Sequence, residues 1–393
     1  MSEKFIIANN YCREVFDGTH DTPKPSDHGY KLVTSKNIIG NKLDLNSAYL
    51  ISQEDYLAIN KRSKVSQFDV LFSMIGSVGN VYIEQRKNEE IDYSIKNIGV
   101  FSSKTEKEAY WLYYYLQSPY AQSFIKKFLN GAVQKFLPLQ TLRAFPILSP
   151  VENYESLISI LKNIDQKITL NNQINEELEA MAKTLYDYWF VQFDFPDQNG
   201  KPYKSSGGKM VYNPELKREI PEGWGVESVG NLLDKVTKAE KIENNSIEFI
   251  GEIPVIDQSQ KYIAGFTNNE NAILQPQDGH VIFGDHTRVV KYINFDYARG
   301  ADGTQVLISN NENISNVLLY HMIEDFDLSN YGYARHFKFL KEKTVIVPDK
   351  EVSSKFETQA NVIYEKIKNN IFENQELTQL RDWLLPMLMN GQA

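Results

Sequence analysis

The chain has 393 residues, of which 42% are hydrophobic and 12% aromatic, enough for two or three packed cores and too apolar for a disordered chain. The net charge of −9 excludes a uniformly basic nucleic-acid binder, but it is unevenly spread: residues 1–150 hold 18 Lys+Arg against 15 Asp+Glu, residues 151–195 hold 3 against 8, and residues 223–350 hold 12 against 18. A local basic face suffices for DNA, so the acidic total weakens independent binding without removing it. The one cysteine, Cys12, cannot form an internal disulfide, and the sequence has neither a signal-peptide pattern at its start nor an apolar run of ~20 residues. A cytoplasmic protein with no membrane association is expected.

Residues 1–150 read as a first globular head of short strands and turns, a mixed α+β pattern with one helix over about residues 107–129 that contains Tyr110, Trp111, Tyr113, Tyr114 and Tyr115. That aromatic run fits a core or interface helix better than a base-stacking platform. A long helix is expected within residues 151–193, after Pro146 and Pro150. Residues 194–223 form a linker too rich in turn formers for a regular element. The second head covers residues 224–350, with a short helix near residues 315–324, and residues 351–393 hold a second long helix over about 352–385 that Pro386 stops or kinks.

The two long helices share one seam. Leu157, Leu161, Ile164, Ile168, Asn171, Asn175, Leu178, Ala182, Leu185 and Trp189 keep unbroken 4,3,4,3 spacing, which places them on one stripe of a supercoiling helix. The residues 199 places further on are Phe356, Ala360, Ile363, Ile367, Asn370, Asn374, Leu377, Arg381, Leu384 and Leu388, and six of the ten pairs are identical. Both central asparagines recur. A seam asparagine weakens packing but fixes register, because a slipped partner leaves its amide unpaired. The heads repeat more loosely: Asp69-Val70-Leu71-Phe72-Ser73 matches His280-Val281-Ile282-Phe283-Gly284, then Val100 matches Val306, Leu112 matches Leu318, Gly131 matches Gly332 and Phe136 matches Phe337. The chain is therefore a pseudo-twofold repeat of two heads joined by long coiled-coil helices, with a scaffold shared and the bound features expected to differ.

The run Leu170-Asn171-Asn172-Gln173-Ile174-Asn175-Glu176-Glu177-Leu178-Glu179, then Met181, Thr184-Leu185-Tyr186 and Trp189-Phe190, is followed by Phe193-Asp194-Phe195-Pro196, Tyr203-Lys204, Gly207-Gly208, Met210 and Ile220-Pro221-Glu222-Gly223-Trp224. Together these closely resemble the central conserved region of type I restriction-modification specificity (S) subunits. Asn374-Gln375-Glu376-Leu377, Leu380-Arg381-Asp382, Leu384-Leu385-Pro386 and Leu388-Met389-Asn390-Gly391 look like that family's second conserved region, and Asp17-Gly18-Thr19-His20-Asp21-Thr22-Pro23-Lys24 resembles a segment near the start of one class of its target recognition domains. The short lead-in before Asp17 departs from the pattern, lacking a counterpart of residues 220–224.

The resemblance implies two target recognition domains joined by two antiparallel helices, each domain reading one half of a split target in double-stranded DNA. It also implies two docked methyltransferase (M) subunits that bind S-adenosylmethionine and flip the target adenine, and restriction/translocase (R) subunits using ATP and Mg2+. The chain itself would carry no cofactor and catalyse nothing. The 33-residue seam, residues 157–189, spans roughly 50 Å at ~1.5 Å per residue, on the order of 15 base pairs. The alternative from another class is a non-catalytic coiled-coil scaffold with two divergent protein-binding heads, which the acidic second head favours.

Candidate DNA-reading residues must be polar and placed on loops. In the first head these are Thr19, His20, Thr22, Lys24, Ser35, Lys36, Asn37, Ser73, Ser77, Asn80, Gln134 and Lys135; in the second they are Ser259, Gln260, Lys261, Asp285, His286, Thr287, Arg288, Arg335 and His336. Arg288 and Arg335 stand out, since arginine paired to guanine is the commonest specific contact. Other signals fail. Gly208-Lys209 lacks the earlier glycine and the Ser/Thr of a phosphate loop, and Gly76-Ser77-Val78-Gly79 is too short for a dinucleotide fingerprint. His20, Asp21, Asp27 and His28 lack metal-ligand spacing.

Overall fold

The computed structural model describes residues 5–129, 136–150, 154–234, 236, 239–301, 303–329 and 335–390, apart from the side chains of Leu388 and Asn390. The chain divides into two compact units, Met1–Ile168 with Gln375–Ala393, and Thr169–Asn374.

In the first unit an antiparallel sheet has the strand order Glu14–Asp17, Ile98–Ser102, Val70–Ser73 and Val81–Ile83. The strand Val70–Ser73 is buried on both faces, as its unbroken Val-Leu-Phe run requires. Beside it lies a mixed sheet in which Tyr30–Thr34 pairs antiparallel with Tyr49–Ile51 and parallel with Tyr93–Lys96. The short lead-in is itself a strand: Phe5–Ile7 pairs with Pro146–Leu148. The second unit holds the same arrangement at Gly225–Ser228 and Thr344–Val347, so the first head has the edge that its sequence shows no motif for.

The expected helix over residues 107–129 is two helices, Glu106–Gln117 and Pro119–Leu129. Proline has no N–H to donate and pushes the preceding residue out of helical geometry, and Ser118 is extended, at φ −65° and ψ 153°. Tyr110, Trp111, Tyr113, Tyr114 and Tyr115 are buried core residues; Trp111 Nε1 donates to the Leu148 carbonyl at 2.8 Å and the Tyr115 hydroxyl to the Pro146 carbonyl at 2.6 Å, fixing this helix to the edge strand. A further helix, Gln53–Ser63, escapes sequence reading because its apolar residues, Tyr56, Leu57, Ala58 and Ile59, form one consecutive run and no stripe; Ser52 caps it, accepting from the Asp55 N–H at 3.1 Å.

In the second unit His280–Gly284 pairs with Val290–Ile293 and Thr304–Leu307, while Ile253–Ile256 pairs antiparallel with Gly265–Thr267 and parallel with Tyr297–Gly300. Three strands of each sheet repeat their first-unit counterparts in direction and order; the first sheet here has no strand in the place of Glu14–Asp17, and the second adds Lys241–Ile242 and Ile273–Leu274, both paired with Tyr297–Gly300. A helix at Asn316–Ile323 is capped by Ser315, whose side chain accepts from the Leu318 N–H. The linker is not structureless: Met210–Asn213 and Arg218–Pro221 form a hairpin. Its turn formers make the loop, with Asn213 Oδ1 accepting from the Glu215 and Leu216 N–H groups and Lys217 in the left-handed region at φ 53°. Ile220 anchors it in the core beside Trp224 and Phe195.

The long helices are Tyr154–Tyr186, followed by a wider π turn at Asp187–Val191, and Lys350–Asn390. The second continues past Pro386 instead of ending there, although the proline has no N–H to donate to the carbonyl of Asp382. Every described seam residue is buried or half-buried.

In the first unit Leu157 and Leu161 share a core with Leu385 and Met389, and Asp165 accepts from the Tyr114 hydroxyl at 2.8 Å and from Arg381 at 3.4 Å. Burial raises the Asp165 carboxyl above the usual range, against the opposing pull of Tyr114 and Arg381. In the second unit Asn171 Nδ2 donates to Asn374 Oδ1 at 2.9 Å and to Glu373 at 2.7 Å, Asn370 Nδ2 donates to Asn175 Oδ1 at 2.8 Å, and the Trp189 and Phe356 rings meet at 6.1 Å. Partner numbers fall on one helix as they rise on the other, so the helices run antiparallel. No described helix is long and apolar enough to cross a membrane.

Candidate nucleic-acid interface

In the first head the chain leaves the strand Glu14–Asp17 and bridges at Thr19 to Lys96, in parallel, with Thr19 N–H donating to the Ile95 carbonyl and Asn97 N–H to the Thr19 carbonyl. Gly18 has no room for a Cβ, which would lie 2.3 Å from the Ile95 carbonyl oxygen. This contact sets the next residues over the sheet end. The exposed His20 ring lies between Asp17, 3.0 Å from Nε2, and Asn97 Oδ1, 2.9 Å from Nδ1. Lys96 Nζ donates to the Thr22 hydroxyl, Arg62 donates to the Gly18 carbonyl at 3.2 Å, and the Ser35 hydroxyl donates to the Asn97 carbonyl at 3.1 Å.

The structure thus gathers Thr19, His20, Thr22 and Ser35 around Lys96, Asn97 and Arg62, three residues the sequence reading missed. Lys96 and Asn97 stand at a strand end and carry no motif; only the strand-end rule for open sheets could have pointed to them. Lys24 and Lys36 are exposed, while Asn37 is buried, accepting from Thr34 N–H at 2.7 Å and donating to Ser47 at 3.0 Å.

A second group follows the strand Val70–Ser73. Ser73 is fully buried, Ser77 is exposed, and Asn80 Nδ2 donates to the Ile38 carbonyl at 2.9 Å. Gly76 and Gly79 adopt φ of 72° and 99°, so the Gly-Ser-Val-Gly run is the turn into Val81–Ile83. Residues 35–38 touch both groups, through Ser35 to Asn97 and Ile38 to Asn80. Gln134 and Lys135 lie outside the described residues.

The second head draws its candidates into one cluster. After Ile253–Ile256, Ser259 N–H and hydroxyl both donate to Asp257 Oδ1, at 2.9 and 2.6 Å, leaving Gln260 and Lys261 exposed. The turn from His280–Gly284 to Val290–Ile293 presents His286, Thr287 and Arg288, all exposed, with Arg288 at φ 64°. Gln258, absent from the sequence-based candidates, joins these loops: its Oε1 accepts from the His286 N–H at 3.1 Å and its carbonyl from the Thr287 hydroxyl at 2.6 Å. Gly303, at φ 69°, sits where a Cβ would come within 2.8 Å of Gln258 and His286.

Asp285 is buried; its carbonyl accepts from the His336 N–H and ring Nδ1, both at 3.0 Å, and its carboxylate from the Phe337 N–H at 2.9 Å. His336 is buried as well, whereas the preceding Arg335 is exposed. Ser73, Asn37, Asp285 and His336 therefore shape the loops, while Lys24, Lys36, Ser77, Lys261, His286, Thr287, Arg288 and Arg335 offer side chains to a ligand.

Beneath the cluster, Lys291 is 4% exposed, and burial pushes its ammonium down to about 8, with Asp257 opposing that shift. His280, joined to the Tyr297 hydroxyl at 3.1 Å, is pushed down to about 4 by burial, which keeps its ring neutral. Among the described residues no group of three or more His, Cys, Asp or Glu could hold a metal ion. The arrangement offers hydrogen-bonding and cationic loop side chains at the sheet ends of both heads.

Residues 13–180 match the model of the type I restriction modification DNA specificity domain. The chain is 25% identical over 312 residues to the type I restriction enzyme MjaIX specificity subunit of Methanocaldococcus jannaschii, covering 72% of this chain and 68% of that one. It is 23% identical to the HindI specificity subunit of Haemophilus influenzae, covering 61% and 67% respectively. Its fold is similar to the crystal structure of a type I restriction-modification S subunit from M. genitalium, at a TM-score of 0.56 and 14% identity, covering 99% of this chain and 97% of that chain.

Proposed function

We propose, from the premise that this chain belongs to the type I restriction-modification specificity subunits, that it directs such a complex to a split DNA target, with residues 1–150 reading one half-site and residues 224–350 the other. The role is one of sequence specificity and is non-catalytic. The observation that carries the two-half reading is the repeated scaffold: in each head, polar and cationic loops gather at the ends of two sheets whose three shared strands pair in the same order and direction. Lys24, Lys36 and Lys96 in the first head and Lys261 in the second suit phosphate contacts, which position without specifying. Arg288 and Arg335 suit base edges, where a bidentate pair to guanine discriminates by ~1–3 kcal/mol.

The reading includes two methyltransferase subunits docked along residues 151–193, 351–393 and the heads. S-adenosylmethionine would be held by those subunits, and ATP and Mg2+ by the restriction/translocase subunits. An acidic chain with only local cations is suited to holding DNA inside such an assembly. The test is to co-express the chain with its methyltransferase subunit in a methylation-free host and map N6-methyladenine by single-molecule sequencing. A split motif with a fixed gap is expected; no methylation from a co-purifying, cofactor-binding pair would overturn the reading.

A further inference from the structure

We infer that Lys291 is a positioning residue that sets the recognition loop at residues 257–261 of the second head, and through it the base discrimination of that head. The inference rests on the DNA-reading role proposed above. Lys291 lies in the strand Val290–Ile293, opposite Ile282. Its Nζ donates to the Asp257 carbonyl at 2.8 Å and the Lys261 carbonyl at 2.5 Å, with Asp257 Oδ1 at 3.9 Å. Two carbonyls four residues apart are thereby drawn to one ammonium, which closes the loop from beneath. From above, Gln258 fastens the same loop to His286 and Thr287. Only the side chains of Gln260 and Lys261 stand outward, and their position follows from these bonds.

The first head shows that the fold does not demand a lysine here. Tyr82 holds the equivalent place, opposite Leu71, and packs half-buried against the cluster containing Val33 and Ile38, which flank Ser35–Asn37. An apolar side chain would fill the space without the cost of burying an ammonium. It would leave the two loop carbonyls without their donor. The same structural position thus supports the first recognition loop by packing and the second by hydrogen bonds.

The test uses the full chain in complex with its methyltransferase subunit, comparing wild type, K291M and K291R. Methylation is mapped at cognate sites and at sites with one mismatch in either half; exchange of residues 224–350 assigns the half read by the second head. K291M is expected to lose roughly tenfold in discrimination within that half, the scale of one misread base pair, and none in the other, while K291R, which keeps donors, recovers part of it. A role in filling volume predicts the reverse order, with methionine the milder change. That order, an unchanged ratio, or equal losses in both halves would overturn the inference. If K291M does not assemble, K291Q is read by the same ratio. A wild-type complex giving no split motif would instead count against the underlying function.

Discussion

Lys291 keeps a charge where water barely reaches it, and its titration provides a direct check on the burial. Free in an unfolded chain the ammonium titrates near 10.5; burial pushes it down to about 8 in the fold. Between those values the unfolded state binds the extra proton, so stability rises with pH. Below pH 8 the cost of the buried charge is present in full, and it is relieved as pH climbs towards 10.5. Wild type should therefore gain on the order of 3 kcal/mol over K291M across that window, by equilibrium denaturation at several pH values. A flat difference would mean the amine is hydrated. The loop bonds survive, since a neutral amine still has two hydrogens for two carbonyls.

Individual site residues were only partly legible in the sequence. Polar identity and loop placement single out His286 and Arg288, but also Asn37 and Ser73, which the structure buries. Polarity does not say whether a hydroxyl faces solvent or its own backbone. Lys96, Gln258 and Lys291 carry no motif, because their importance comes from residues distant in sequence that folding brings beside them.

Among elements, the long helices were the most legible because their signal is summed over ten positions. The asparagines at the centre show why a polar seam persists: Asn171 with Asn374, and Asn370 with Asn175, pair at a single register. Asn171→Ala removes two hydrogen bonds, to Asn374 and Glu373, and should cost ~1–3 kcal/mol and lower the melting temperature, measured by calorimetry on the complex. The elements that escaped notice are those held by capping or turn chemistry. The helix Gln53–Ser63 has no apolar stripe, and the hairpin of Met210–Asn213 with Arg218–Pro221 hides within a stretch dense in turn formers. Local composition cannot distinguish a loop that joins two strands from one that joins nothing.

At the scale of the whole molecule, the two heads are expected to act as separable readers. Replacing residues 224–350 with the second head of a type I specificity subunit that reads a different target should change one half of the methylated motif and leave the other intact, read by the same single-molecule mapping; a change in both halves would sink the modular reading. If the helices set the gap, deleting four residues from one of them turns everything beyond by about 40° and should alter or abolish the spacer in the motif. An unchanged gap after that deletion would show that the helices are not its ruler. The repeat of sheets was visible in outline from buried-strand runs such as Val70-Leu71-Phe72 and Val281-Ile282-Phe283. The parallel pairings of Tyr93–Lys96 and Tyr297–Gly300 were not, because pairing direction leaves no trace in a short run of residues.

The repeated asparagines carry a hazard for assembly. Asn171 meets Asn374, which is the 199-residue image of Asn175, so each helix finds in its partner a near copy of itself. The first helices of two molecules can then offer one another the same contacts. Tethering within one chain favours closure at ordinary dilution, since it acts as a local concentration on the order of millimolar. Refolding from denaturant at high protein concentration should therefore yield exchanged dimers that dilute refolding does not, a difference that light scattering would reveal.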